Sequence, residues 1–147
     1  FVSLILFTIM KKIWLLPLLI VLLLSCSNSR ERSKNPNIPN YSVNLTVDTN
    51  LPLYSNLKFI SNPVFIPNYG AKGLIIMKTG EGTYNAFDAA CPNQALSACK
   101  AMTIDGIMAV CSCDKSTYNL YTGLGDKEYP MKQYRVDAAG NILRIYN

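Results

Sequence analysis

Apolar and polar residues alternate along the chain from about residue 42, in short segments separated by turn residues. Residues 42–48 have the sequence SVNLTVD, which places Val43, Leu45 and Val47 on one face of an extended chain. Residues 73–79, GLIIMKT, form a continuous apolar run that is typical of a buried strand. A Gly-Glu-Gly turn follows this run and TYNAF comes next, so the pattern predicts a β-hairpin.

The other apolar segments are equally short, and they predict strands as well. Residues 59–67, FISNPVFIP, contain two apolar pieces that an Asn-Pro pair separates. Residues 104–110, IDGIMAV, carry Asp105-Gly106, which is a strong hairpin signal. YNLYTG, KQYRVD and NILRIY complete the set, and no window shows sustained helical periodicity. We therefore predict an all-β fold, a small antiparallel barrel or sandwich, over residues 41–147.

The beginning of the chain has a different pattern. Met10 is followed by two lysines, an apolar run over residues 13–24, and Ser25. A charged start, an apolar centre and a small residue describe a secretory signal peptide, which we assign to residues 1–25 with the true start at Met10. The alternative is a transmembrane helix, but the run has 12 residues, whereas a spanning helix needs about 20.

The signal peptide ends in a sequence that suggests lipidation. Leu23-Leu24-Ser25-Cys26 resembles the bacterial lipobox, in which the cysteine becomes the lipidated first residue of the mature protein. The resemblance implies a membrane anchor at Cys26 and a location in the cell envelope, facing the periplasm or the cell exterior. The alternative is that Cys26 is an ordinary thiol.

Residues 26–40, CSNSRERSKNPNIPN, are rich in Ser, Asn and Pro and contain almost no large apolar side chain. This composition predicts a lipid-anchored flexible linker between the anchor and the domain. Without Lys11 and Lys12, the 14 basic residues of the chain fall to 12 against 9 acidic ones, a net charge of +3. A balance so close to neutral does not predict nucleic-acid binding.

Candidate chemistry in the predicted domain rests on four cysteines, because the chain contains no histidine. They are Cys91, Cys99, Cys111 and Cys113. In an exported protein an even number of cysteines predicts disulfides, and four allow three pairings. Four thiolates are also suitable ligands for a two-iron cluster or for zinc. The spacing C-x7-C and C-x-C is unlike the usual pairs of zinc knuckles, however.

Two segments around these cysteines, YNAFDAACPN and AVCSCDKSTYNLYTG, resemble the Rieske [2Fe-2S] iron–sulfur domain family. The shared order is a strand, a Cys-Pro loop, a long insert, a hairpin, a second cysteine loop, an aromatic strand and a glycine. The resemblance covers most of residues 41–147 and implies the Rieske type of small β fold. The positions that agree with the family pattern are Cys91, Pro92, Cys111, Cys113, Ser116, Tyr118 and Gly123.

The chain departs from this family at the metal ligands. A Rieske cluster uses two thiolates on one iron and two imidazoles on the other. Cys91 and Cys111 stand at the thiolate positions, but Asn93 and Asp114 stand where the family has histidine. The absence of histidine from the chain therefore excludes standard Rieske ligation. An atypical [2Fe-2S] cluster could use all four thiolates, or Cys91, Cys111 and Asp114 among its ligands.

The resemblance also bears on the disulfides. Some Rieske proteins carry one further cysteine in each loop, and these two form a bond that braces the cluster. The correspondence implies Cys99–Cys113 as that bond, with Cys91 and Cys111 facing each other, and so favours the pairs Cys91–Cys111 and Cys99–Cys113.

These observations predict a membrane-anchored lipoprotein with a clusterless, disulfide-stapled binding or structural domain. The alternative is an electron carrier with an atypically ligated two-iron cluster, which would act with a redox or envelope protein partner. Without histidine, no Ser/His/Asp or Cys/His site is possible, and no Gly-rich phosphate loop is present. The sequence shows no catalytic machinery, and at most it predicts an electron-transfer component of an oxidoreductase system.

Overall fold

The structure, a computed structural model, describes residues 35–147. The predicted signal peptide at residues 1–25 and the predicted lipidation site at Cys26 lie outside the described residues. Within residues 35–147, no helix is long and apolar enough to cross a membrane.

The described part of the chain is built from short strands, as the alternating pattern predicts. In chain order they are β1 (Asn44–Asp48), β2 (Val64–Ile66), β3 (Leu74–Gly80), β4 (Thr83–Asp88), β5 (Thr103–Asp105), β6 (Met108–Val110), β7 (Thr117–Asn119), β8 (Gln133–Ala139) and β9 (Ile142–Tyr146). A short 3-10 helix, Pro52–Lys58, lies between β1 and β2. No pattern in the sequence predicts this helix, because seven residues of 3-10 helix, about two turns, are too few to produce a periodic signal.

The strands form two antiparallel sheets. The larger one has six strands in the order β1-β9-β8-β4-β3-β2, and the smaller one has three in the order β5-β6-β7. The prediction of an all-β antiparallel fold is confirmed. Both predicted hairpins are present, and Gly106 takes the positive φ of 57° that the tight turn between β5 and β6 requires.

Strand β3 separates two apolar clusters because its side chains alternate between the faces of the large sheet. Leu74 and Ile76 join a cluster with the buried side chains of β1 and β9. Ile75 and Met77 point the other way, into a cluster that contains three of the four cysteines. Burial on both faces explains why this strand is a continuous apolar run rather than an alternating one.

The end of β4 is fixed by a buried carboxylate. Asp88 accepts hydrogen bonds from the backbone N–H groups of Ala71 (2.6 Å), Lys72 (3.2 Å) and Ala90 (2.9 Å) and from the hydroxyl of Tyr134 (2.9 Å). Four donors offset the cost of burying this charge. Burial, together with the negative charge of Asp88, raises the pKa of Tyr134 above its usual range. Asp88 thus ties the loop before β3 to β8 and to the start of the first cysteine loop.

Residues 35–40, which the composition places in the linker, contact the folded domain. Ile38 is buried, and the amides of Asn35 and Asn37 donate to the carbonyl of Pro92 at 2.8 and 2.9 Å. The predicted domain boundary at residue 41 stays a prediction. These contacts nevertheless bring the segment against the first cysteine loop.

Candidate functional site

The candidate site is formed by two loops at one end of the smaller sheet and by a third loop that contacts the first of them through Tyr129. The first cysteine loop, residues 89–102, joins β4 to β5, and the second, residues 111–116, joins β6 to β7. The third loop, residues 120–132, joins β7 to β8. The loops contain the four cysteines and both residues at the predicted histidine positions.

The cysteines form two disulfides, Cys91–Cys111 and Cys99–Cys113, with Cα–Cα distances of 5.4 and 5.5 Å. These are the two pairs that the family resemblance implies. Each bond joins the first cysteine loop to the second, so the two loops are linked covalently at two places.

Backbone hydrogen bonds bring the loops into position for these bonds. The N–H of Met102 donates to the carbonyl of Ala89 at 2.7 Å and closes the base of the first loop. In the second loop the N–H of Cys111 donates to the carbonyl of Ser116 at 2.9 Å. The Ser112 hydroxyl then donates to the carbonyl of Lys100 at 3.1 Å, across the two loops.

The two disulfides differ in their exposure to solvent. Cys91 and Cys111 have 4% and 0% of their surface exposed, and they lie in the apolar cluster beside Met102 and Ala109. Cys99 is buried too, at 6%. Cys113 is exposed, and its sulfur lies 3.3 Å from the carbonyl oxygen of Ala98. The Cys99–Cys113 bond therefore runs from the interior to the surface.

Asn93, at the first predicted histidine position, holds the third loop in place. Its amide nitrogen donates to the Tyr118 hydroxyl at 2.9 Å and to the carbonyl of Tyr129 at 2.8 Å. Its amide oxygen accepts from the N–H of Tyr129 at 2.9 Å. Both polar atoms of the side chain are thus used within the protein.

Asp114, at the second predicted histidine position, closes the second cysteine loop. One carboxylate oxygen accepts from the Ser116 N–H at 3.0 Å and from its hydroxyl at 2.7 Å, and the other accepts from the Gln94 amide at 2.9 Å. The hydrogen bonds from Ser116, above all from its hydroxyl, lower the pKa of Asp114 to about 2. The side chain is exposed and carries a charge at neutral pH.

This donor set does not fit the two-iron cluster of the Rieske family. Cys91 and Cys111, which would hold one iron, are bonded to each other. Asn93 and Asp114, which would face the other, direct their oxygens to Tyr129, Ser116 and Gln94. A metal could bind the cysteine sulfurs only after the disulfides had been reduced, because the thiolate is the ligand.

Sequence reasoning missed some residues that build the site. Tyr129 and Gln94 are the partners of Asn93 and Asp114, yet neither belongs to the cysteine pattern. Asp114 and Ser116 do carry a local signal, because Asp commonly bonds the backbone two residues further on. Tyr118, one of the positions that agree with the family pattern, is buried and bonds Asn93. No local signal could have found Tyr129, which is 36 residues from Asn93.

A cleft of about 460 Å³ opens beside the third loop, between that loop and the large sheet. It is lined by Asn85, Phe87, Tyr121, Thr122, Leu124, Pro130, Met131 and Gln133. Phe87 and Met131 are buried, whereas Tyr121 and Leu124 are exposed.

No family model matches the chain, and no curated protein matches it significantly. Several solved structures are similar to it, and three of them each have a TM-score of 0.44. One is the ferredoxin of carbazole 1,9a-dioxygenase from Nocardioides aromaticivorans IC177, with 12% identity over 72% of this chain and 97% of that one. Another is a chain of the complex of reduced oxygenase and oxidised ferredoxin in carbazole 1,9a-dioxygenase, with 14% identity over 71% and 92%. The third is described as an NADH-dependent nitrite reductase small subunit from Mycobacterium tuberculosis, with 14% identity over 74% and 97%.

Proposed function

We propose that the chain is a membrane-anchored lipoprotein whose Rieske-like domain works without a cluster, as a disulfide-stapled binding module in the cell envelope. One observation carries the proposal. Every side chain at a predicted ligand position is already bonded within the protein: Cys91 to Cys111, Asn93 to the third loop, and Asp114 to Ser116. These bonds hold the three loops, residues 89–102, 111–116 and 120–132, in one conformation, and we call the surface that they form the braced surface.

A braced surface suits binding. Two disulfides fix the cysteine loops to each other, and Asn93 fixes the third loop to the first. Loops held in one conformation lose little freedom when a partner binds, so less of the contact energy is used to order them. The adjoining cleft, with an apolar floor and exposed Tyr121 and Leu124 at its rim, adds concave surface to this end of the domain. The proposed partner is another protein of the envelope.

A mass measurement tests the clusterless state. The full chain is prepared anaerobically and weighed under native and denaturing conditions, with and without thiol alkylation. We expect a native mass without iron or sulfide, lighter than the reduced chain by two hydrogens per disulfide, with none of the four domain cysteines alkylated. A native mass heavier by two irons and two sulfides, with these cysteines alkylated after denaturation, would instead establish the electron carrier.

A separate experiment tests the anchor. The chain is expressed in bacteria that are fed a labelled fatty acid, and membranes are separated from soluble protein. We expect the wild type to carry the label and to sediment with membranes, and Cys26→Ser to lose both properties. Label retained by Cys26→Ser would contradict the proposed lipidation.

A further inference from the structure

Three cysteine sulfurs lie together in the interior, although only two of them are bonded to each other. The Sγ atoms of Cys91, Cys99 and Cys111 all lie within 4.8 Å of one another. Cys99 is bonded instead to Cys113, which lies outside this group and is exposed. The two disulfides are therefore neighbours through Cys99.

We call the Sγ atoms of Cys91, Cys99 and Cys111 the sulfur cluster. Solvent reaches the two disulfides through the exposed Cys113. Thiol–disulfide exchange proceeds by attack of a thiolate on a sulfur that it can reach. Cys91, Cys99 and Cys111 are buried among apolar side chains, so an external thiol reaches Cys113 first. Attack there breaks the Cys99–Cys113 bond and releases Cys99 as a thiolate inside the protein.

We propose that the four cysteines form a thiol–disulfide relay that moves two electrons from a protein dithiol at the surface to the buried Cys91–Cys111 bond. The relay is an activity beyond the proposed binding role. It requires the two disulfides of the proposed function and does not require the anchor or the binding partner.

The relay has three steps, each an exchange of one sulfur for another. A thiolate of the partner bonds to Cys113, and Cys99 leaves as a thiolate. Cys99 then bonds to Cys91 or Cys111, and the other of those two leaves as a thiolate. Finally the second thiolate of the partner attacks the partner's own sulfur in the mixed disulfide, and Cys113 leaves. The partner ends as a disulfide, and the domain keeps one disulfide and gains two thiols.

The position of Cys99 in its loop allows the second step. The middle of the first cysteine loop contains few backbone hydrogen bonds, Gln94 N–H to Cys91 carbonyl at 3.4 Å and Ala98 N–H to Ala95 carbonyl at 2.9 Å. Once its bond to Cys113 is broken, Cys99 can change its side-chain rotamer towards either neighbouring sulfur.

Two matched variants test the second step by itself. Cys113→Ser frees Cys99 beside the buried disulfide, and Cys99→Ser frees Cys113 outside the sulfur cluster. Both are made in the full chain with Cys26→Ser, so that one thiol remains in each. The exchange within Cys113→Ser needs no oxidant or reductant. The free thiol is trapped with N-ethylmaleimide under mildly acidic denaturing conditions, which stop exchange, and located by peptide mass mapping.

We expect the label in Cys113→Ser to shift from Cys99 to Cys91 or Cys111 in a measurable fraction of chains, and the label in Cys99→Ser to stay on Cys113. Label confined to Cys99 in the first variant would overturn the relay. An equal spread of label in both variants would overturn it as well, because that result indicates scrambling in unfolded chains.

The wild-type fold provides a second test in case the variants fail to fold. The full chain with Cys26→Ser is treated with one equivalent of dithiothreitol, the probe for the partner dithiol, and trapped at early times. We expect the first species with two thiols to carry label on Cys113 and on Cys91 or Cys111. Label on Cys99 and Cys113 alone would overturn the relay and leave the binding module intact, whereas iron in the native protein would overturn both proposals.

Discussion

At the scale of single residues, Asn93 and Asp114, the two positions that differ from the Rieske pattern, each form a hydrogen bond between loops. A histidine ligand presents one ring nitrogen to its metal. Asn93 instead uses both polar amide atoms in hydrogen bonds to the backbone of Tyr129. Asp114 accepts hydrogen bonds from Ser116 and Gln94. The polar atoms of both side chains are therefore used in hydrogen bonds within the protein.

Replacing Asn93 by Ala should lower the free energy of unfolding by about 2 kcal/mol, because both backbone groups of Tyr129 and the Tyr118 hydroxyl lose a partner. Urea unfolding followed by far-UV circular dichroism measures the change. Asn50→Ala is the control, since Asn50 is exposed and its side chain makes no hydrogen bond within residues 35–147. Equal stability of the two variants would show that Asn93 does not brace the third loop.

The lowered pKa of Asp114 predicts that the free energy of unfolding depends on pH in the acid range. Its pKa is lowered from the ordinary 3.8 to about 2 by Ser116, so its charge stabilises the fold above about pH 4 and this contribution is lost as the pH falls towards 2. The free energies of unfolding of the wild type and Asp114→Asn should accordingly converge between pH 5 and pH 2. The difference should be small, because Asp114 is exposed. A carboxyl pKa near 3.8 by NMR would contradict the predicted shift.

At the scale of elements, the sequence predicts strands well where their pattern is local. Alternation in residues 42–48, the apolar run before the Gly-Glu-Gly turn and the Asp105-Gly106 hairpin all appear in the structure close to their predicted bounds. The predicted strand YNLYTG is shorter, since β7 ends at Asn119. Gly123, at a φ of 72°, turns the chain so closely over Phe87 that a Cβ there would lie 2.6 Å from the ring. Such a contact depends on tertiary packing and leaves no periodic signal.

The cysteine loops are the elements that depend most on covalent bonds. Removing Cys99–Cys113 with Cys99→Ala and Cys113→Ser should lower the free energy of unfolding by about 2 kcal/mol. The bond closes a separation of 14 residues, but Cys91–Cys111 already closes an overlapping loop, so the entropy gained is smaller than for an isolated bond. Urea unfolding measures the loss, and Ser97→Ala, exposed in the same loop, is the control. A loss below about 0.5 kcal/mol would mean that the bond does not staple the loops.

At the scale of the whole described molecule, the first residues and the last strands are held together by a buried ammonium group. Lys132, only 1% exposed, donates to the Pro39 carbonyl at 2.8 Å and to the Asn40 side chain at 3.0 Å. Burial lowers the pKa of Lys132, and the charge of Asp88 opposes that shift. The composition of residues 26–40 does not predict the contacts of residues 35–40, because the partners of these six residues are distant in the sequence: Lys132 lies 93 residues after Pro39.

These contacts predict that the domain needs residues 35–40 for full stability. The free energy of unfolding of a chain that begins at Tyr41 should be about 3 kcal/mol lower than that of a chain that begins at Lys34. The shorter chain loses the burial of Ile38, worth about 2 kcal/mol, and leaves the Lys132 ammonium without two acceptors. Urea unfolding of the two chains measures the difference, and equal stability would support the linker boundary that the composition predicts.

A substitution of Lys132 isolates the part of that loss that comes from its hydrogen bonds to residues 39 and 40. Lys132→Met removes the ammonium, so in the shorter chain it relieves a buried charge that has lost its acceptors at Pro39 and Asn40. In the longer chain the same substitution leaves those acceptors without their donor. We therefore expect Lys132→Met to cost less in the shorter chain than in the longer one, a coupling that a double-mutant cycle measures directly. Equal effects in both chains would mean that residues 35–40 do not stabilise the domain through Lys132, and that the loss comes from Ile38 and from the bonds of Asn35 and Asn37 to Pro92.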